Sequence, residues 1–380
     1  MTSHRRAGWT RRSVAARAAA LGTAALGTAV LGTAACRSAL AAQGSGLASH
    51  AARTGRLFGT AVRSPDLIYN AGTRDEVLRE ASLLVPEYEM KWEILAKSPG
   101  SYDFGGGDRL AAFAERHGLG LRGHTLVWHL ALPSWLPRQL DAREAKRLME
   151  EHVTAVASHY AGRVQSWDVV NEAIDPQASD GMRTSLWMQA LGPDYIPLAF
   201  AAAARADPKA KLYYNDYDLE CDTPDQDVRR AKTLEILTKL RRDGVPIHGL
   251  GIQGHLQAGR WPYDAGKFAR FLRAVSALDL DILITEMDVS DRLLPAPEAE
   301  RDATVAGLAG DVLRTFLAEP RATGVLTWGL SDRQTWLNDL PTHRRTDNLP
   351  QRALPLDRNG RPKPLWTAMA QAFDAAAPMR

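Results

Sequence analysis

Ser166-Trp167-Asp168-Val169-Val170-Asn171-Glu172-Ala173 is the stretch whose reading decides the architecture. Trp167, Val169 and Val170 suit a short strand buried on both faces, and the run turns from apolar to polar at Asn171-Glu172. A carboxylate at the C-terminal end of a buried parallel strand stands where α/β barrels and open α/β sheets build their sites. One such group is often merely solvated or salt-bridged. Its weight depends on a second carboxylate in an equivalent place.

Outward from this strand, short apolar runs alternate with helix-length amphipathic segments, which argues for a parallel sheet wrapped by helices. Strands are expected over Leu57–Val62, Leu84–Met90, Leu119–Trp128, Val164–Glu172, Lys211–Tyr217, Gly249–Leu256, Ile282–Val289 and Val325–Leu330. Helical patterns fall over Asp108–His117, Asp141–Tyr160, Ser185–Ala206, Asp225–Asp243, Asp264–Leu278, Glu298–Glu319 and Lys363–Ala375. Asp141 with Glu144 three residues on has the spacing of a capping box. The 380-residue length would suit two or three domains, but eight strands with intervening helices predict one α/β domain, a (β/α)8 barrel over 56–380.

Residues 1–42 read as an export signal. A basic start is followed by Ala18–Ala35, in which Leu-Gly-Thr-Ala-Ala/Val recurs from Leu21, Leu26 and Leu31. Arg11-Arg12 just ahead of this run resembles a twin-arginine signal. The Gly and Thr content makes a membrane-spanning helix the weaker reading. Ala39-Leu40-Ala41 fits a cleavage site, while Thr33-Ala34-Ala35-Cys36 resembles a poor lipoprotein box, leaving lipidation at Cys36 open. Residues 43–55 then read as a flexible linker. Part of the positive charge behind the net +3 lies in Arg5, Arg6, Arg11, Arg12 and Arg17, the rest of the chain is close to balanced, and nothing points to nucleic acid. No obligate protein partner is suggested, and a monomer is expected. Without the leader, Cys221 has no intrachain partner, so stability must come from core burial.

Polar residues gather where the expected strands end: Glu87, Glu89, Lys91; His124, Trp128, His129; Asn171, Glu172; Asn215, Asp216, Tyr217; Gln253, His255; Glu286, Asp288; Trp328, Asp332, Trp336. In a (β/α)8 barrel that face carries the active site. Glu172 and Glu286 end strands three apart around the ring and face each other across its mouth. Two opposed carboxyls are what glycoside hydrolysis requires, and Trp128, Trp328 and Trp336 offer flat faces to sugar rings. A metal site from His124, His129, His255, Glu286 and Asp288 is the rival, but no His-x-His or His-Glu-x-x-His pattern occurs. No Gly-x-Ser-x-Gly elbow is present and no Gly-rich loop follows the seventh or eighth strand, so a phosphate-handling barrel is poorly supported, and no cofactor or metal is called for.

At this point the chain resembles glycoside hydrolase family 10, the family of endo-β-1,4-xylanases, from about Leu57 to Ala375. The motifs carrying the resemblance are Pro86-Glu87-Tyr88-Glu89-Met90-Lys91-Trp92, Arg122-Gly123-His124-Thr125-Leu126-Val127-Trp128-His129, Trp167–Glu172, Tyr214-Asn215-Asp216-Tyr217, Gln253-Gly254-His255, Ile284-Thr285-Glu286-Met287-Asp288, Thr327–Asp332 and Pro362–Trp366. The resemblance implies a retaining double displacement on xylan or a related β-linked polysaccharide, with Glu286 as nucleophile and Glu172 as acid/base. It also implies that His255, held by Asp288, keeps Glu286 anionic, that Asn171 contacts the sugar 2-hydroxyl and that Gln253 orients Glu172. Glu87, Lys91, His124, Trp128 and Trp328 would bind the glycone sugars, Tyr217 would stack on the next sugar and Trp336 would join the wall.

Two departures from the family pattern fall at the expected −2 subsite. Tyr88 stands for the family's Asn, and Leu130-Ala131-Leu132 for its Ser-Gln-Leu. Losing one or two hydrogen bonds of about 0.5–1.5 kcal/mol each would weaken or retarget recognition without touching the chemistry. The alternatives are therefore a hydrolase of another β-linked polysaccharide, such as an exopolysaccharide, or a non-catalytic glycan-binding barrel.

Overall fold

The computed structural model of the protein describes residues 46–379. The expected export signal, its cleavage point and Cys36 lie outside the described residues. β1 (Leu57–Val62), β2 (Leu83–Pro86), β3 (Gly120–Val127), β4 (Ser166–Asn171), β5 (Lys211–Asp216) and β6 (Gly249–Ile252) follow in chain order. The short β7 (His255–Gln257), then β8 (Asp281–Ser290) and β9 (Ala322–Thr327), complete the set. Neighbours pair in parallel, β9 pairs with β1 and β6 pairs directly with β8, so eight strands close a ring. β7 is a spur along the C-terminal part of β8. The chain is a (β/α)8 barrel.

Both faces of the strands are covered. Ala61, Leu83, Val85, Tyr213, Leu283, Leu326 and Trp328 pack together inside the ring, and the outward side chains join the larger cluster under the helices. Trp167 on β4 is fully buried against Gly123 on β3, where an added Cβ would lie 2.1 Å from the indole. Only glycine allows that approach.

Several elements differ from the sequence reading, each for a local reason. β2 stops at Pro86, and Glu87–Lys91 turn instead, with the Lys91 N–H donating to the Tyr88 carbonyl at 3.0 Å. The strand expected over 249–256 breaks at Gly254, which sits at φ +79°. The helix expected over 185–206 is interrupted at Gly192 (φ +61°) and Pro193, leaving Leu186–Leu191 and Tyr195–Ala206. Two helices between β1 and β2 were not anticipated: Ser64–Tyr69 has Pro65 in its first turn, and Ala71–Glu80 is capped by Asn70 accepting from Thr73 N–H. The capping box is half made. Asp141 accepts from Glu144 N–H at 2.8 Å, but the Glu144 carboxylate turns to Arg147.

The linker reading over 43–55 is corrected for its described part. Leu47–Ala52 is a helix whose Leu47 and Ala51 are fully buried, an apolar i, i+4 pair that gives even this short segment one face to bury. The Leu47 N–H donates to Glu80 Oε2 at 3.0 Å, and the Trp366 indole of the closing helix (Pro364–Ala375) donates to the same oxygen at 2.9 Å.

Candidate active site

The C-terminal strand ends surround a cleft of about 600 Å³ whose walls include Glu172, Glu286, Lys91, His124, Trp128 and Trp328. Ladder irregularities fall where these side chains need re-aiming. Register shifts lie between His124 and Val127, between Asp168 and Val170, and between Ile284 and Met287. Such bulges bend a strand and redirect its side chains. Glu172 itself sits at φ +59°, an uncommon conformation for a residue with a Cβ. Its backbone is held from both sides: the N–H donates to the Asn215 carbonyl at 2.9 Å, and the carbonyl accepts from Arg183 Nε at 2.8 Å. Surroundings that over-determine such a conformation let it persist.

One hydrogen-bonded chain connects the two carboxyl groups. Asn171 Nδ2 donates to Glu172 Oε1 at 3.1 Å, Asn215 Nδ2 donates to Asn171 Oδ1 at 2.8 Å, and the same Asn215 amide donates to Glu286 Oε1 at 2.7 Å. Thr285 fixes the Asn215 amide by donating to its oxygen at 2.7 Å. Gln253 Nε2 reaches Glu172 Oε1 at 3.0 Å, and His255 spans Asp288 Oδ1 at 3.0 Å and Glu286 Oε2 at 3.3 Å.

The electrostatics set Glu286 apart. Burial pushes its pKa up, but the charge of His124, the bond and charge of His255 and the Asn215 amide together hold it down at about 2. Burial works against charge on His255 as well, yet Asp288 and Glu286 raise its pKa well above the ordinary value. His124 lies 3.9 Å from Glu286 and 3.1 Å from Asp168, whose other oxygen is ion-paired with fully buried Arg122. Glu286 is thus an anion between two imidazoles, each backed by its own aspartate.

Lys91 stands in an aromatic box. Its ammonium is 4.9 Å from the Tyr88 ring, 5.2 Å from Trp128 and 5.8 Å from Trp328. Burial lowers the Lys91 pKa, with Glu286, Glu87 and Glu172 opposing. Tyr88, at the position where the resemblance leads one to expect a small amide, forms one wall of the box, and Arg63 covers the ring from 5.4 Å. Arg63 also pairs with Glu87 at 2.9 Å, while burial raises the Glu87 pKa. Tyr217 lines the cleft, but one ring face is occupied by Arg229 at 4.1 Å and its hydroxyl accepts from Arg183 at 2.7 Å. Trp336 reaches the wall and donates to Asp288 Oδ2 at 2.7 Å. Ala131 does not line this cleft, whereas Leu130 does. The Ala131 residue is at φ +52°, and its carbonyl accepts from Glu93 N–H at 2.8 Å.

Sequence reasoning did not single out Asn215 as a site residue, nor Asp168, Arg122, Arg183 or Arg63. Asp168 and Arg122 carried a signal, since charges inside apolar strands must find partners. Asn215 stood among the polar strand ends and in a family motif, but its role, like that of Arg183, depends on which strand end lies opposite.

A parallel barrel whose rim sets one buried, ionised carboxylate across from a second carboxyl, among tryptophans, has the construction of a glycoside hydrolase. The chain belongs to glycosyl hydrolase family 10, whose family model matches residues 46–372. It is 37% identical over 290 residues to a β-1,4-xylanase of Dictyoglomus thermophilum, covering 74% of this chain and 78% of that one. It is 34% identical over 323 residues to endo-1,4-β-xylanase 1 of Humicola insolens, covering 84% and 72%. Xylanase 10B of Thermotoga petrophila, solved in complex with xylobiose, superimposes with a TM-score of 0.79 at 30% identity, covering 87% of this chain and 98% of that one.

Proposed function

We propose that the protein cleaves internal β-1,4 linkages of xylan, or of a closely related β-linked polysaccharide, by double displacement. The observation that carries this reading is the pair Glu172 and Glu286, hydrogen-bonded through Asn171 and Asn215 in one aromatic-walled cleft. Relatives and structural neighbours that bear the name xylanase support the substrate. The Glu286 carboxylate attacks the anomeric carbon as the glycosidic C–O bond breaks, and Glu172 passes its proton to the leaving oxygen. Water then gives a proton to Glu172 while its oxygen displaces Glu286, so the anomeric configuration is retained. Asn171 faces the 2-hydroxyl, His255 and His124 keep the nucleophile anionic, Gln253 orients Glu172, and Lys91, Trp128 and Trp328 seat the sugar. No cofactor enters, and the enzyme works as a monomer on its polymer.

Glu172→Gln and Glu286→Gln should each lower turnover of unactivated xylan by at least about 10³-fold, and proton NMR should detect the β-anomer first. Near-wild-type turnover in either variant would sink the assignment.

A second reading, a substrate that differs from plain xylan on the glycone side, is favoured by Tyr88 and by the Arg63 hold on Glu87. Product analysis on linear xylan, arabinoxylan, mixed β-glucan and a bacterial exopolysaccharide separates the two, and robust activity confined to linear xylan removes the second. Export by the twin-arginine route is likewise our inference from Arg11-Arg12 and the run after it. Mass spectrometry of the mature N-terminus decides between cleavage after Ala41 and lipidation of Cys36.

A further inference from the structure

Outside the reacting centre, the cleft wall carries a cation that forms no ion pair among the described residues. Arg292 lies just past the end of β8, half-buried, and lines the cleft. Its guanidinium makes one hydrogen bond, from Nη1 to the Thr342 carbonyl at 2.8 Å, so most of its five N–H donors stay free. The carboxylates nearby are already engaged. Asp291 pairs with Arg301 and Arg345, Asp288 with His255 and Trp336, and Asp339 with Arg63. Among the described residues, no ion pair includes Arg292.

The groups beside it form a graded surface leading out from the nucleophile. The Trp336 ring is 5.3 Å from His255, and the His343 ring is 4.7 Å from Trp336. His343 follows Thr342, whose carbonyl holds Arg292. Burial and the Arg292 charge both press the His343 pKa down, so this ring is a neutral hydrogen-bonding group near pH 7. An indole face, a neutral imidazole and an uncompensated guanidinium match a sugar that carries a carboxylate: the ring packs on the indole and the acid takes a charge-assisted bond. Arg260, another arginine on the cleft wall, differs. It bonds Gln257 at 2.7 Å, lies 4.5 Å over Trp261 and acts electrostatically on Asp218.

We propose that the wall formed by Trp336, His343 and Arg292 is a subsite for an acidic branch of the polysaccharide, a uronic acid substituent whose carboxylate is bound by the Arg292 guanidinium. This rests on the β-xylan reading of the reacting centre and names the decoration that the site selects.

The test uses three xylo-oligosaccharides of equal backbone length: unbranched, bearing one glucuronic acid branch, and bearing that branch as its methyl ester. Wild-type kcat/KM should favour acid over ester by about 10-fold, the loss of one charge-assisted hydrogen bond. The preference should shrink in about 0.5 M NaCl, where exposed charges are screened. Arg292→Gln should erase it, and Arg292→Lys should keep part of it. Equal cleavage of acid and ester by the wild type, or an undiminished preference in Arg292→Gln, overturns the proposal. If the wild type cuts none of the three, the β-xylan reading falls. Calorimetric binding of acid and ester to the Glu286→Gln protein then decides this subsite separately, with equal affinity refuting it.

Discussion

At the scale of single residues, the site depends on charges placed to hold one carboxylate ionised. Glu286 is buried, which by itself would favour its protonated form, and His124 and His255 reverse that. The acid limb of kcat/KM that belongs to Glu286 should therefore lie near pH 2, and activity should not fall through the ordinary carboxylate range on its account. Replacing His124 by Gln removes the largest lowering influence, so the limb should move to higher pH, measurable in a kcat/KM profile on soluble xylan. A limb that stays in place would mean that His124 does not hold Glu286 down. Tyr88 illustrates the limit of reading one residue alone. As a letter it is a lost amide; in place it closes the box around Lys91 and lies under Arg63.

At the scale of elements, the unexpected helix over Leu47–Ala52 acts as a buttress rather than a tether. It packs Leu47 and Ala51 into the core and ties Glu80 to both ends of the described chain. Leu47→Ala should cost about 2–4 kcal/mol in urea denaturation, the usual range for emptying a buried leucine site. A cost near zero would restore the linker reading. The eight barrel strands were largely legible because strands buried on both faces are continuous apolar runs, whereas the helices after β1 depend on Pro65 and the Asn70 cap more than on an apolar face. The break at Gly254 was hidden inside an otherwise strand-like run. Its positive φ separates Gln253, which reaches Glu172, from His255, which reaches Glu286.

At the scale of the whole molecule, buried ionisable groups tie stability to pH in opposing directions. Glu220 is buried behind the site and accepts from Gly254 N–H at 2.9 Å and Leu219 N–H at 2.8 Å. Burial first, then Asp218, raises its pKa from 4.5 to about 7. The folded state therefore keeps a proton that the unfolded state loses above about pH 4.5, and stability from this group falls as pH rises through 7. The loss amounts to about 3 kcal/mol between pH 4.5 and pH 8. His129 and His152, lowered by burial to about 4 and about 3, act oppositely by weakening the fold as pH falls below 6.5. The total profile mixes these, so the Glu220 contribution is read by difference. Glu220→Gln keeps an acceptor for Gly254 and should gain stability relative to wild type as pH rises from 4.5 to 8. A constant difference across that range would show that Glu220 is not protonated in the fold.

The sequence by itself determined the barrel and the two glutamates on its rim, because apolar periodicity and the change to polar residues at a strand end are local properties. It also carried the family motifs, which are contiguous. The partners of those glutamates were decided only in three dimensions. Asn215 joins Asn171 to Glu286, Arg183 braces the left-handed Glu172, and Arg292 is left without a counter-charge because neighbouring aspartates turn elsewhere. These relations arise from ring closure, which brings together residues far apart in the chain, and no local pattern encodes which strand end a side chain will meet.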